Sequence, residues 1–217
     1  MDSIPRHRCL VYEGEQSRHL PVLAAVICEQ IREHYRCLYV HRPEMVAAMQ
    51  SRLESKGLDV AERVRQGTLV LSSQQDHLKN GRFDADALLR LLDAALQQSL
   101  RAGYKGLWAS GDMACEFGPA RDFSQLLDYE RRLDEFIEKN PEFVAVCQYH
   151  ADTLPGEAMR QGLLTHPSVF INESLALINP HYLEPHHLGP HSSAGLAEQS
   201  PGVELTLNRL LQLEFAI

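Results

Sequence analysis

The chain has 217 residues, 44% of them hydrophobic, with 29 acidic against 21 basic side chains and a formal net charge of −8. That is enough chain and apolar content for one full domain with a tail, which excludes global disorder. The negative balance, with basic residues scattered in short pairs such as Arg6 and Arg8 or Arg131 and Arg132, argues against a surface for nucleic acid or anionic lipid.

Short apolar runs at residues 9–12, 37–41, 68–72, 106–110, 143–149 and 169–172 predict strands. Helical patterns lie between several of them, so the expected class is α/β with a mostly parallel sheet. Several runs are apolar at successive positions, as strands covered on both faces should be. After the first strand, YEGEQSRHL leads into PVLAAVICEQI, a strand, loop and helix in the place where nucleotide-binding folds keep a phosphate loop. Pro43 can open the next helix and Gly57 close it. Asp59 with Glu62 has capping-box-like spacing. Past Asp84, Leu88, Leu92, Ala95, Leu96 and Leu100 share a stripe that ends at Gly103. Phe123, Leu126, Leu127, Leu133, Phe136 and Ile137 mark a further helix, stopped at Asn140-Pro141. Residues 183–202 are rich in Pro, His, Gly and Ser and read as a linker or excursion, and 203–217 as a C-terminal helix.

Cys9, Cys28, Cys37, Cys115 and Cys147 form no C-x-x-C pair and fall mostly in apolar runs, the usage of reduced core thiols. MDSIPRHRC lacks the apolar core of a signal peptide, and no apolar stretch reaches membrane-spanning length, so a soluble cytoplasmic protein with no membrane role is expected.

CLVYEGEQSRHL, RCLYVH, AGYKGLWASGDM, LLDYERRLDEF, VCQYHADTLP and LLTHPSVFINE, in this order and spacing, resemble the MEDS sensory domain family of methanogen and methylotroph regulators. The resemblance spans about residues 6–182. It implies a RecA-like three-layer αβα sandwich with a degenerate nucleotide loop. It also implies a sensory role toward small molecules such as hydrocarbon derivatives, in signalling with a histidine kinase or transcriptional regulator. Cys115 departs from the family, where a bulky aromatic is expected near this position.

The loop chemistry agrees with a lost nucleotide site. No G-x-x-x-x-G-K-[ST] occurs anywhere, and Glu13 and Glu15 would repel a polyphosphate, so ATPase activity is not expected. Ligands of open α/β sheets bind beyond the carboxyl ends of the strands. That rule gathers Tyr12 and Glu13, His41 and Arg42, Ser73 and Gln74, Asp112, Met113 and Glu116, and Gln148, Tyr149 and His150 as a candidate site for a small organic ligand. Each has a plainer reading as a core aromatic, turn residue or helix-end charge.

Two other functions stay open. One is an interaction module that has kept the fold without a ligand. The other is a metal-dependent hydrolase using Asp112, Glu116 and His150, for which no dense ligand spacing such as H-E-x-x-H speaks. His181, His186, His187 and His191 match no ordered zinc pattern, so no metal site is expected, and the sequence leaves any cofactor open. The C-terminal segment suits a homodimer contact or a helical connector.

Overall fold

The computed structural model describes residues 6–15, 17–170, 176–178 and 182. The expected linker and C-terminal helix lie outside these. In chain order the elements are β1 (His7–Tyr12), α1 (Leu20–Arg32), β2 (Tyr35–Val40), α2 (Pro43–Ser55), α3 (Val60–Arg65), β3 (Leu69–Ser72), β4 (Leu78–Lys79) and β5 (Arg82–Phe83). They continue with α4 (Ala85–Arg101), β6 (Gly106–Asp112), α5 (Met113–Glu116), a 3-10 turn (Phe123–Gln125), α6 (Leu126–Lys139), β7 (Phe143–His150), α7 (Gly156–Thr165), β8 (Ser168–Phe170) and β9 (Ala176–Ile178).

The main sheet runs β3-β2-β6-β7-β1-β8-β9. Its pairings are parallel except the last, β8 with β9. Successive side chains of a strand point to opposite faces, so each strand feeds two cores. Leu10, Tyr12, Cys37, Tyr39, Trp108 and Val146 pack under α1 and α2 with Leu23, Ile27, Met49 and Leu53. Cys9, Val11, Ala109, Ala145, Cys147 and Tyr149 pack under α4, α6 and α7 with Leu92, Leu96, Leu133 and Leu163. Every residue of β7 is buried, which is why its sequence carries no polar alternation. We call the α1/α2 side the front and the α4/α6/α7 side the back.

The helix punctuation works as the residue types require. Asp59 accepts the Glu62 N–H at 3.0 Å and Asp84 the Ala87 N–H at 2.7 Å, each satisfying a donor the helix leaves unpaired. Gly57, at φ +83°, follows α2, and the Leu58 N–H reaches back to the Leu53 carbonyl, a closure that needs a residue tolerant of left-handed backbone.

Several elements go beyond the sequence expectation. Asn80 and Gly81, at φ +53° and +74°, turn the β4–β5 hairpin, as an Asn-Gly pair is suited to do. Helix α7 and strand β9 were not foreseen either. Strand β6 runs to Asp112 rather than stopping at residue 110, in register with Gln148. Strand β2 ends at Val40, so His41 sits just beyond it.

Candidate functional site

The pleat divides the residues expected to converge. Tyr12, His41, Asp112, Gln148 and His150 meet on the front. Met113 and Glu116 turn to the back, where Gln74 lies at the edge of the same cavity. Tyr149, between Gln148 and His150, also points back, away from both groups.

The front group is centred on Asp112. Its Oδ1 accepts the Cys115 N–H at 2.9 Å, capping α5, and its Oδ2 accepts the Tyr12 hydroxyl at 3.1 Å. The Tyr12 ring lies between two imidazoles, His19 at 3.9 Å and His150 at 4.7 Å between ring centres. His19 Nε2 donates to Gln148 Oε1 at 2.8 Å, Gln148 donates to Ser110 Oγ, and Ser110 to the Val146 carbonyl. His41 Nδ1 accepts the Arg42 N–H, which turns Nε2 toward Asp112 at 3.7 Å. Burial lowers the proton affinity of His41, and that of His19 to about 4, so both imidazoles are neutral at pH 7. Three buried polar atoms here, His19 Nδ1, Tyr39 Oη and His41 Nε2, have no hydrogen-bond partner among the described residues.

The loop after β1 is tied to the protein rather than opened to an anion. The Gly14 N–H donates to Asp152 Oδ2 at 2.7 Å, and the Gly14 carbonyl accepts from His150 Nε2 at 2.9 Å. An amide that a phosphate loop would present to its ligand is thereby committed to a carboxylate. Glu13 lies partly exposed in this loop. Arg42 is exposed and lies 3.4 Å from Glu44. With Asp112, Cys115 and Arg121 it borders a polar cleft above the strand ends.

On the back a cavity of about 170 Å³ runs from Ser72, Gln74 and Met113 at the strand ends, beneath Leu88, Leu91 and Leu92 of α4, to Leu133 and Phe143. Its walls are mainly aliphatic, and Glu116 is the buried acid set into them, with Asp76 and His77 also on the lining. Glu116 is 4% exposed. Gly111 makes room for it, since a Cβ there would lie 2.8 Å from Glu116 Oε1. Burial, and secondarily the charge of Asp112, push its carboxyl up to about 8. His77 Nε2 donates to the Glu116 carbonyl at 2.7 Å and lies 3.1 Å from Glu116 Oε2. Burial lowers the His77 proton affinity as well, so the contact is between neutral groups and not an ion pair. Glu116 Oε2 has no hydrogen-bond partner among the described residues.

Asp112, Glu116 and His150 therefore do not assemble into the metal or acid-base trio weighed from sequence. Asp112 caps α5 from the front, Glu116 closes it on the back, and His150 is spent on Gly14. Two other groups bring metal-type donors within 4.8 Å of one another, His41 with Asp112 and Cys115, and His7 with Glu130, Cys147 and His166. In the first, Asp112 and His41 Nδ1 are already engaged as described. Sequence reasoning passed over His19, although it lies in the quoted loop, and His77, five residues past β3. A strand-end rule carried through the whole of the following loop would have reached both.

The family described as MEDS, MEthanogen/methylotroph, DcmR Sensory domain, matches residues 6–167. The chain belongs to this family. No curated protein matches it. Among solved structures, the MEDS domain is similar to the flagellar accessory protein FlaH from Methanocaldococcus jannaschii. The identity is 15% and the TM-score 0.50, with 84% of this chain and 82% of that one covered. At that identity the likeness concerns the fold, which is RecA-like, with a mostly parallel sheet between two helical layers. Among the described residues no helix is long and apolar enough to cross a membrane.

Proposed function

We propose that this MEDS domain senses a small, largely apolar organic molecule carrying one polar group, held in the back cavity with that group on Glu116. The observation that carries the reading is Glu116 Oε2, which has no hydrogen-bond partner among the described residues and belongs to a buried carboxyl lining a mainly aliphatic cavity of about 170 Å³. A dry cavity of about 150 Å³ accommodates benzene, so the ligand has about six to eight heavy atoms. A protonated carboxyl both donates and accepts, which suits an alcohol, ketone or ether oxygen. Short oxygenated or halogenated hydrocarbons fit this description, in keeping with the sensory character of the family.

The four-residue helix α5 gives the cavity a route to the front. Glu116 is its last residue and Asp112 its cap, so shifting one moves the anchor of the other. Asp112 holds Tyr12, Tyr12 stacks on His150, and His150 holds the loop at Gly14. A ligand that favours one position of α5 would thus bias the loop and the surface a signalling partner reads, provided it binds that state better. No catalytic step is assigned, and ATP turnover is not expected because the loop lysine and glycines that supply phosphoryl-transfer electrostatics are missing.

The test is thermal denaturation with benzyl alcohol, butanol, dichloromethane and Mg-ATP, on the wild type and on Ala109→Leu, which fills the cavity from β6. At 100-fold excess over Kd a ligand adds about 2.7 kcal/mol, or roughly 5–10 °C for a chain of this size. The expected result is such a saturable rise with at least one organic probe, lost in Ala109→Leu. A rise with Mg-ATP alone, or one unaffected by the substitution, overturns the reading.

A further inference from the structure

The back layer holds a second polar group that the sensory reading does not use. His7 opens β1, Cys147 is in β7, Glu130 is in α6 and His166 follows α7, and all four are buried. We propose that these side chains form a closed four-coordinate site for a transition metal of the zinc class.

Four of the six donor-to-donor distances are already near the edges of a coordination tetrahedron, and all six lie within 4.8 Å. Zinc bonds of about 2.0–2.1 Å to imidazole, 2.0–2.2 Å to carboxylate and 2.3 Å to thiolate put those edges at about 3.3–3.6 Å. Glu130 Oε2 lies 3.3 Å from His7 Nε2, 3.6 Å from His166 Nε2 and 3.7 Å from Cys147 Sγ. Cys147 Sγ lies 3.8 Å from His7 Nε2. A shift of a few tenths of an ångström closes these four contacts on an ion.

The outer contacts point the same way. A metal-bound imidazole usually gives its other nitrogen to a carboxylate or carbonyl, which fixes ring and tautomer. His7 Nδ1 is 3.2 Å from Asp134 Oδ1, and His166 Nδ1 is 2.6 Å from the Gly162 carbonyl. Both Nε2 atoms are thereby presented to the centre. The other oxygen of Glu130 takes the Tyr149 hydroxyl, and the other oxygen of Asp134 takes that of Tyr182. Gly162 permits the arrangement, because a Cβ there would lie 2.5 Å from the Tyr149 ring.

Charge also balances. Glutamate and cysteinate neutralise a divalent ion, with His7 and His166 as neutral ligands and Asp134 outside. Loading releases the cysteine proton and any proton held by His7. With four protein donors and no open position, the ion acts as a structural clamp joining the β1 start, β7, α6 and the α7 end, rather than as a catalyst.

The test uses full-length protein stripped with EDTA and titrated with Co²⁺ alone, then Zn²⁺. Saturation at about one equivalent is expected, with a thiolate-to-cobalt charge-transfer band and tetrahedral ligand-field bands that Zn²⁺ abolishes. Cys147→Ser should lose the charge-transfer band. Asp134→Asn should keep the band but weaken binding about 10–100-fold. The His-rich segment contains no cysteine, so it cannot imitate the band. Wild-type protein that shows no thiolate band, or a band that survives in Cys147→Ser, overturns the site. Should Cys147→Ser fail to fold by circular dichroism, the wild-type and Asp134→Asn titrations decide the matter.

Discussion

Two glutamates of the back layer, Glu116 and Glu130, are buried to a similar degree, at 4% and 0% exposure, yet they settle in opposite protonation states. Burial, helped by the charge of Asp112, pushes Glu116 up to about 8. For Glu130 burial pulls the same way, but the imidazoles of His166 and His7 and the Tyr149 hydroxyl outweigh it and bring the carboxyl below its ordinary value. His7 in turn, despite burial, is raised to about 9 by Asp134 and Glu130. Partners rather than depth decide the charge of a buried acid. One acid is left with hydrogen-bonding capacity to spare beside a cavity, and the other is locked into a network that joins four elements.

The largest effect should come from breaking the locked acid. Glu130→Ala leaves a buried, protonated His7 and the Tyr149 hydroxyl without the carboxylate they share. It should cost about 3–5 kcal/mol, or roughly 10 °C in Tm. Unfolding in urea at pH 7 measures it, and a loss under about 1 kcal/mol would mean that the network does not carry the α6 contact.

The uncompensated acid should respond with the opposite sign. Glu116 has a folded-state pKa of about 8 against an ordinary 4.5, so between those values the folded state binds more protons than the unfolded one. Stability therefore falls as pH rises from about 4.5 to 8 and levels off above. Glu116→Gln, which cannot ionise, should be more stable than the wild type by about 2–4 kcal/mol at pH 9 and about equal to it at pH 4. Urea midpoints at the two pH values check this, and parallel profiles would show that Glu116 is ionised in the fold.

A finer probe is Tyr149→Phe, which removes one donor to Glu130 and leaves the packing. The expected loss is about 1–2 kcal/mol. Tyr12→Phe, which frees one oxygen of Asp112 on the front, should cost about 1 kcal/mol. It should also speed hydrogen exchange at the Gly14 amide, because the loop anchor loosens.

Much of the fold was legible in the chain. Central strands announce themselves as continuous apolar runs because helices cover both faces, and Asp59, Asp84, Gly57 and Gly103 mark helix ends through local backbone chemistry. The hairpin at Asn80-Gly81 carried a readable signal. Helix α7 was harder, since LPGEAMRQGLLT opens at Pro155 with no side-chain cap and contains a glycine whose purpose is a ring on another strand.

By itself the sequence determined the class of fold and the family, because these rest on residues close together or in fixed order. It also brought forward the strand-end residues as a set. Only the tertiary structure decided which of them meet. A strand sends neighbouring side chains to opposite faces, so Gln148 and His150 join Tyr12 and Asp112 while Tyr149 joins Glu130. Likewise Asp112 and Glu116, one helical turn apart, serve different sides of the sheet. The group of His7, Glu130, Cys147 and His166 has no spacing to recognise in a linear text, because its members come from four elements brought together by the packing of α6 and α7 on β1 and β7.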